Sequence, residues 1–332
     1  MSGSKKLFNY KIPKPVYYGS SVAAAIGVVC LIKEWAGGET YRKKVSLNGK
    51  VVIITGANTG IGKETSLELA KREAKIYMAC RDMQRCEAAR EKIVLDTKNK
   101  YVYCRKCDLA SLDSIRQFVN QFNKEEKQLD ILINNAGVMR TPKDSKTKDG
   151  FEMQLGVNHF GHFLLTNLLL DKLKIPAHSR IINLSSVAHE RGTINKLDLN
   201  SDKEYDPGTA YSQSKLANIL FTKELNNRLK GTNVTVNSVH PGIVDTELFR
   251  HMGFYKSWLA TIFIKPFVWP FIKSSRQGAQ TVIYTAVDPE LNNVSGKYFK
   301  DYKETKVSNA ADDDQTAKWL WAVSEKWTRL LQ

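Results

Sequence analysis

Thr55-Gly56-Ala57-Asn58-Thr59-Gly60-Ile61-Gly62 is the stretch on which the fold turns. Before it, Val51-Val52-Ile53-Ile54 is an unbroken apolar run that reads as a buried parallel strand. After it, residues 63–72 carry Leu67 and Ala70 at helical spacing. Strand, glycine turn, helix is the setting a phosphate-binding loop requires. The first glycine lets the chain turn sharply off the strand. The later ones let backbone approach a pyrophosphate and let the helix pack close to the sheet. The helix start then offers unpaired N–H groups and a positive dipole end. The spacing is Gly-x-x-x-Gly-x-Gly rather than the more familiar Gly-x-Gly-x-x-Gly. An ordinary glycine-rich strand-to-helix turn is therefore the competing reading of this stretch alone.

The same rhythm continues along the chain. Residues 75–80, 101–107, 129–133, 180–184 and 233–239 read as strands, with a short last one over 296–299. Helical patterns cover 83–96, a segment from Ser111, 151–172, 208–229, 275–286 and 311–330. Alternating strands and helices predict an α/β fold: a Rossmann-type doubly wound parallel sheet of about seven strands, helices on both faces, in a single domain over 49–332.

The chain of 332 residues is long enough for this, and its 42% hydrophobic and 25% charged content is ordinary for a globular protein. Fifty basic residues against 34 acidic ones give +16. The lysines are spread along the chain and no nucleic-acid-binding motif occurs, so a nucleic-acid partner is not expected. A membrane surface and an anionic cofactor account for the excess. Five cysteines at irregular spacing argue against a disulfide framework. Cys104-Arg105-Lys106-Cys107 lacks the second pair that zinc would need, and in a strand its two thiols point to opposite faces, so it reads as structural. Reduced thiols suggest a cytosol-like setting.

Residues 1–15 are basic, and 16–32 are apolar and uncharged. Those 17 residues would span ~26 Å as a helix, slightly short of the ~30 Å hydrocarbon core. Tyr17 and Tyr18 sit where interfacial aromatics would. A membrane anchor, a cleaved secretory signal and a mitochondrial targeting segment compete. No convincing small-x-small site follows Ile32, and the early positive charges are all lysine, which favours the anchor. Residues 33–48 read as a polar linker. Residues 254–273, aromatic and apolar with interspersed lysines, suggest a substrate-cleft lid, a membrane-dipping element, or simple packing on the sheet edge.

Several positions carry chemistry. Arg81 follows the second strand, where an acidic residue would bind a ribose 2′-hydroxyl and an arginine accommodates a 2′-phosphate; the phosphorylated cofactor, NADP, is expected, with Asp82 the residue that argues for NAD. Asp108-Leu109 closes the third strand. Asn134-Asn135-Ala136-Gly137 closes the fourth, with Asn134 expected to brace the sheet. His159 and His162 are three apart, but no third ligand is evident, so no metal is expected. Asn158 is an amide within an apolar helix and needs partners. Tyr211 and Lys215 are four apart and share a helix face. A phenol titrates near ~10. A neighbouring ammonium lowers that value and makes the tyrosine a usable proton carrier. Ser186, at a strand end, can hydrogen-bond a carbonyl oxygen as it gains charge.

Thr55–Gly62, Asn134–Gly137, Ser186, Tyr211 with Lys215, and Pro241-Gly242 occur in the order of the short-chain dehydrogenase/reductase family, and the chain resembles that family from about 49 to 299. Gly-Ala-Asn-Thr-Gly-Ile-Gly-Lys from Gly56, Ala-Cys-Arg-Asp-Met from Ala79 and Ala-Tyr-Ser-Gln-Ser-Lys from Ala210 look like its retinol dehydrogenase branch. The anchor-like start resembles the mitochondrial-type and endoplasmic-reticulum members, which implies membrane association at the mitochondrial inner membrane or the endoplasmic reticulum. The resemblance implies Tyr211 as proton carrier, Lys215 tuning Tyr211 and binding the nicotinamide ribose, Ser186 polarising the substrate oxygen, and Asn158 holding a water in a relay from Lys215. It implies cofactor contacts at Gly56, Asn58, Thr59, Gly60, Ile61, Gly62, Arg81, Asp108, Leu109, Asn135, Ala136, Gly137, Tyr211, Lys215, Pro241, Gly242, Val244 and Thr246. The implied reaction is hydride transfer between NADPH and a retinal-like or other lipophilic aldehyde or ketone. A reductase of steroid or lipid-derived carbonyls, and a non-catalytic NADP-binding sensor or scaffold, are the alternatives. A homo-oligomer is compatible with the sequence.

Overall fold

The inner hydrophobic runs assemble into one sheet because they are buried on both faces and must be covered on both. In the computed structural model, which describes residues 13–143, 145–244 and 272–331, β1 (Val51–Thr55), β2 (Lys75–Cys80), β3 (Val102–Lys106), β4 (Ile131–Asn134), β5 (Ser179–Leu184), β6 (Val234–His240), β7 (Tyr298–Lys300) and β8 (Lys303–Glu304) form a single sheet in the order 3-2-1-4-5-6-7-8. All pairings are parallel except β7 with β8. The expected seven parallel strands are joined by a two-residue antiparallel eighth.

Ahead of the sheet lies α1 (Lys14–Gly37), and α2 (Gly60–Ala70), α3 (Met83–Thr97), α4 (Leu112–Glu125), α5 (Gly161–Leu173), α6 (Pro207–Arg228), α7 (Ser275–Val287) and α8 (Asp314–Trp327) follow in chain order. The apolar residues of α2, α3 and α7 close over one face, where Val52, Ile54, Ile76 and Met78 are buried with Ile93 and Ile283. Those of α4, α5 and α6 close over the other, where Ile53, Tyr77 and Leu132 meet Ile115, Phe122, Leu165 and Leu225. Strand order reverses between β1 and β4, and the crevice outside their carboxyl ends is where such sheets bind ligands.

The long helix expected over 151–172 is broken. Met153–Leu155 begins it, Gly156–Phe160 forms a π-turn, and only then does α5 run regularly. The extra residue in such a turn re-aims side chains, and such turns occur frequently at functional sites. Asn158 lies within it.

Two further expectations are corrected. The polar linker is docked on the domain: Tyr41 is 9% and Leu47 6% exposed. The Tyr41 amide donates to Gln280 Oε1 at 3.0 Å and the Tyr302 hydroxyl to the Glu39 carbonyl at 2.7 Å. The apolar residues hidden among charges in this segment find partners only from distant parts of the chain. Secondly, Cys86 on α3 and Cys104 on β3 form a disulfide, their Cα atoms 6.0 Å apart. Strand alternation turns Cys104 toward α3 and Cys107 toward the opposite face, as the C-x-x-C reading required, and Cys86 happens to meet it there. Cys80 and Cys107 are buried and free.

Candidate active site

Thr55 ends β1, and its side chain ties the crevice together. Its hydroxyl oxygen accepts the amides of Asn135 and Ala136, both at 2.9 Å. Asn135 in turn donates its side-chain amide to the Thr55 carbonyl at 2.8 Å. The glycine loop is thereby fixed to the loop after β4. Gly56 has φ +63°, and a Cβ there would stand 3.0 Å from Ala136. A Cβ on Gly62 would stand 2.4 Å from the Gly56 carbonyl oxygen, so the helix reaches the loop only because both are glycine.

α2 begins at Gly60, with Thr59 at its N-cap position, but the Thr59 side chain makes no capping bond. α3, α4, α6, α7 and α8 are each capped by Asp82, Ser111, Asp206, Ser274 and Asp313. The first-turn N–H groups of α2 are thus without a side-chain cap where they face the cleft, and an anion is the partner that such a helix end accepts.

Fourteen of the expected cofactor residues line one cleft: Gly56, Asn58, Thr59, Gly60, Ile61, Arg81, Asp108, Leu109, Asn135, Ala136, Gly137, Tyr211, Lys215 and Pro241. Gly62 stands behind the loop. Gly242 leaves Pro241 in a left-handed turn, φ +93°. Val244 is turned away, pairing with Lys273 and packing on Gly278. Thr246 and residues 254–271 of the apolar stretch lie outside the described residues. Sequence reasoning missed Arg85, which lines the cleft beside Arg81 and Asp82. A second arginine one helical turn on was the available signal. One Asp82 carboxylate oxygen accepts the Arg85 amide at 3.0 Å as the α3 cap.

Ser185, Tyr211 and Lys215 line the cleft near the end of β5, and Ser186, next along the chain and not itself a lining residue, caps the turn Val187–Arg191, accepting the Ala188 amide at 3.2 Å. His189 donates from Nδ1 to the Ser186 carbonyl at 2.7 Å. The Ser186 hydroxyl stands near enough to the Tyr211 phenol to favour its ionised form. Ser185 instead donates to the Lys215 carbonyl at 2.8 Å, tying β5 to α6. Of the two serines, Ser186 is the one against the phenol. Lys215 Nζ lies 5.7 Å from the Tyr211 ring centre and donates to the Leu184 carbonyl at 3.1 Å.

The electrostatics differ from the sequence expectation. Burial pushes the Tyr211 phenol up to about 12, with the nearby Ser186 hydroxyl pulling the other way. Burial also brings the Lys215 ammonium down to about 8. Both charged forms are desolvated, and the ammonium is aimed at a carbonyl rather than at the phenol oxygen. The phenol therefore keeps its proton at neutral pH.

Asn158 is fully buried. Its amide nitrogen donates to the Val138 carbonyl at 3.0 Å and Ser214 Oγ at 2.9 Å, while its side-chain oxygen accepts the Val138 amide at 2.9 Å. It clamps the strand-end loop with both amide hydrogens, and the second lone pair of its side-chain oxygen is the one place left where it could hold a water. Asn134 braces the sheet, donating to Thr166 and Asn183 at 2.9 and 2.7 Å. His159 pairs with Ser324 Oγ at 2.9 Å and His162 with Thr55 and the Asn158 carbonyl. Burial lowers the two imidazoles to about 3 and about 4. Among the described residues no group of side chains could hold a metal ion.

A doubly wound sheet, a glycine cradle over an uncapped helix end, and a buried tyrosine beside a serine at a strand end define an oxidoreductase of the dinucleotide-binding kind. The pattern of the short chain dehydrogenase family matches residues 50–253. The chain belongs to that family, whose members use a nicotinamide dinucleotide. It is 52% identical over 308 residues to human retinol dehydrogenase 13, covering 92% of this chain and 93% of that one. It is 54% identical over 293 residues to human retinol dehydrogenase 12, covering 88% and 90%. Among solved structures, an uncharacterised protein from Mycobacterium paratuberculosis superposes with TM-score 0.70 at 36% identity, over 88% of this chain and 98% of that one.

Proposed function

We propose that this protein reduces retinal-like or other lipophilic aldehydes and ketones to alcohols, using NADPH, at a membrane. The observation that carries the reading is the Tyr211 phenol: buried, beside Ser186 and Lys215, and holding its proton at neutral pH. A donor in that state suits reduction, in which the product alkoxide must be protonated. NADPH, when bound, supplies the hydride. Ser186 donates a hydrogen bond to the carbonyl oxygen, and Tyr211 delivers its proton to the same atom as charge develops there. Lys215, an ammonium below about pH 8, contributes positive potential beside the phenol and binds the nicotinamide ribose. Asn158 holds Val138 in place at the edge of the cleft, and the relay of water from Lys215 runs beside it.

NADP rather than NAD is supported by Arg81 and Arg85, which line the adenosine end of the cleft. Asp82, the residue that could have favoured NAD, has an oxygen occupied as a helix cap. The uncapped start of α2 fits the pyrophosphate. The retinoid-like substrate class is supported by the names of the relatives. Membrane attachment is supported by α1, whose 21 residues Lys14–Glu34 are apolar enough to cross a bilayer, none of the most apolar 18-residue window being buried against the domain.

The deciding experiment follows NADPH oxidation with all-trans-retinal and a panel of aliphatic aldehydes and steroids, for wild type and Tyr211→Phe. Turnover of retinal by wild type, lost ~10²–10⁴-fold in Tyr211→Phe with NADPH binding retained, is expected. Equal turnover by the two would overturn the assignment. Turnover of steroids alone would replace the substrate class.

A further inference from the structure

A second cavity, of about 560 Å³, lies far along the chain from the catalytic tyrosine. It opens where α1 ends. Gly37, Gly38 and Glu39 form one wall, Lys273, Gln277 and Thr281 another, and the β7–β8 hairpin from Lys300 to Lys303 a third. Its walls are fixed relative to each other. α1 meets α7 so closely that a Cβ on Gly37 would overlap the Gln277 amide. Lys33 Nζ donates to the Ile272 carbonyl at 3.4 Å. The Tyr302 hydroxyl holds the Glu39 carbonyl.

The hairpin brings two like charges together. Lys300 and Lys303 are directly opposed in the antiparallel pair, so their side chains leave the same face. Like charges so placed destabilise a hairpin. The turn between them puts both Asp301 and Tyr302 at positive φ, 48° and 65°, backbone that an aspartate tolerates but that is unfavourable for Tyr302. A third lysine, Lys273, is 13% exposed and stands over the helix exit, its Nζ 3.6 Å from where a Gly38 Cβ would be. Asp301 pairs with Lys273 at 2.6 Å and offsets only part of the charge of Lys300, which leaves Lys303 facing a like charge across the hairpin. A bound anion between Lys300 and Lys303 would turn the repulsion into two attractions.

We infer that this cavity binds the phosphate headgroup of an anionic phospholipid. The depth argues for a lipid over a soluble phosphate. The 21-residue span ends at Glu34; as helix it is ~32 Å long, close to the ~30 Å hydrocarbon core. Gly37 and Gly38 then lie ~5 Å beyond the core, at headgroup level. Basic side chains at that depth are drawn to anionic lipid. The neck and hairpin thereby hold the domain at one fixed tilt on the bilayer. This rests on the membrane reading of α1 given above.

The test uses the full-length chain. Flotation with phosphatidylcholine vesicles first checks anchoring. Native mass spectrometry in detergent then measures retention of added phosphatidylglycerol against phosphatidylcholine, with inorganic phosphate as a competitor. Retention of one phosphatidylglycerol per chain is expected, with preference reduced roughly tenfold or more in Lys300→Ala/Lys303→Ala. Lys303→Gln alone, on an exposed residue, should show a smaller loss in the same direction and guards against a misfolded hairpin. Lys92→Ala/Lys230→Ala, on exposed lysines elsewhere, should bind as wild type. Equal retention of both lipids, or an unchanged preference in both hairpin variants, overturns the headgroup site while anchoring stands. Inorganic phosphate binding as tightly as the lipid overturns the lipid assignment. A chain that floats with no vesicle removes the membrane reading and this site with it.

Discussion

The Thr55 hydroxyl donates to Nε2 of His162 across 2.9 Å. The direction follows from the other ring nitrogen: Nδ1 lies 3.0 Å from the Asn158 carbonyl, which can only accept, so Nδ1 carries the proton and Nε2 the lone pair. Because Thr55 also accepts the Asn135 and Ala136 amides, one neutral imidazole connects the glycine loop, the loop after β4 and the π-turn of Asn158. His162→Phe keeps the bulk and removes both bonds. Each of the two stranded buried groups costs ~1–3 kcal/mol, so urea unfolding should show a loss of about 2–6 kcal/mol, with weaker NADPH binding. A loss below ~1 kcal/mol would mean that the network relaxes without cost.

Acid stability follows from the same histidines. Their folded values, about 3 for His159 and about 4 for His162, lie below the ordinary 6.5. The unfolded chain therefore takes up protons first. The contribution is complete above pH ~6.5 and is lost as pH falls toward the folded values. Between pH 7 and 5 stability should drop by about 2 kcal/mol per histidine. The drop, read from urea midpoints, should be smaller in His162→Phe.

Lys215 sets an alkaline limit. It is an ammonium below about 8 and loses its charge above that value. The kcat/KM for carbonyl reduction, which reports the free enzyme, should be level below pH ~8 and fall above it. Lys215→Arg stays charged throughout, so whatever activity remains should lack this limb. A limb in the same place in both proteins would assign it to another group.

Arg81→Asp replaces a cation with a carboxylate at the adenosine end of the cleft. Charge-assisted bonds are worth ~1.5–3 kcal/mol each, so the preference for NADPH over NADH should fall about ten- to a hundredfold or invert. Arg85→Ala should shift it in the same direction by less. The ratio of kcat/KM for the two cofactors is the measurement, and an unchanged ratio in both variants would leave the 2′-phosphate without its ligands.

Gly62→Ala places a methyl group 2.4 Å from the Gly56 carbonyl oxygen. Backbone on both sides must shift, at a cost of ~1–3 kcal/mol. A lowered Tm together with loss of NADPH fluorescence enhancement is expected. Normal cofactor binding would show that the loop tolerates a wider approach of helix to sheet.

Much of this molecule is local in its encoding. The strand-turn-helix around Gly56, the alternation that builds the sheet, and the placing of Tyr211 and Lys215 on one helix face need only backbone sterics and periodicity over a few residues. Tertiary structure decided what depends on residues far apart in sequence, or on the water they lose. The neck pairs Tyr41 with Gln280, Cys86 finds Cys104, and His162 finds Thr55. The π-turn that carries Asn158 does not show in a helical hydrophobic pattern. Most of all, the pattern of Tyr211 and Lys215 suggested a phenol made acidic by a neighbouring charge. Burial instead holds the phenol protonated and weakens the ammonium, because desolvation is a property of the closed fold and has no signature in spacing.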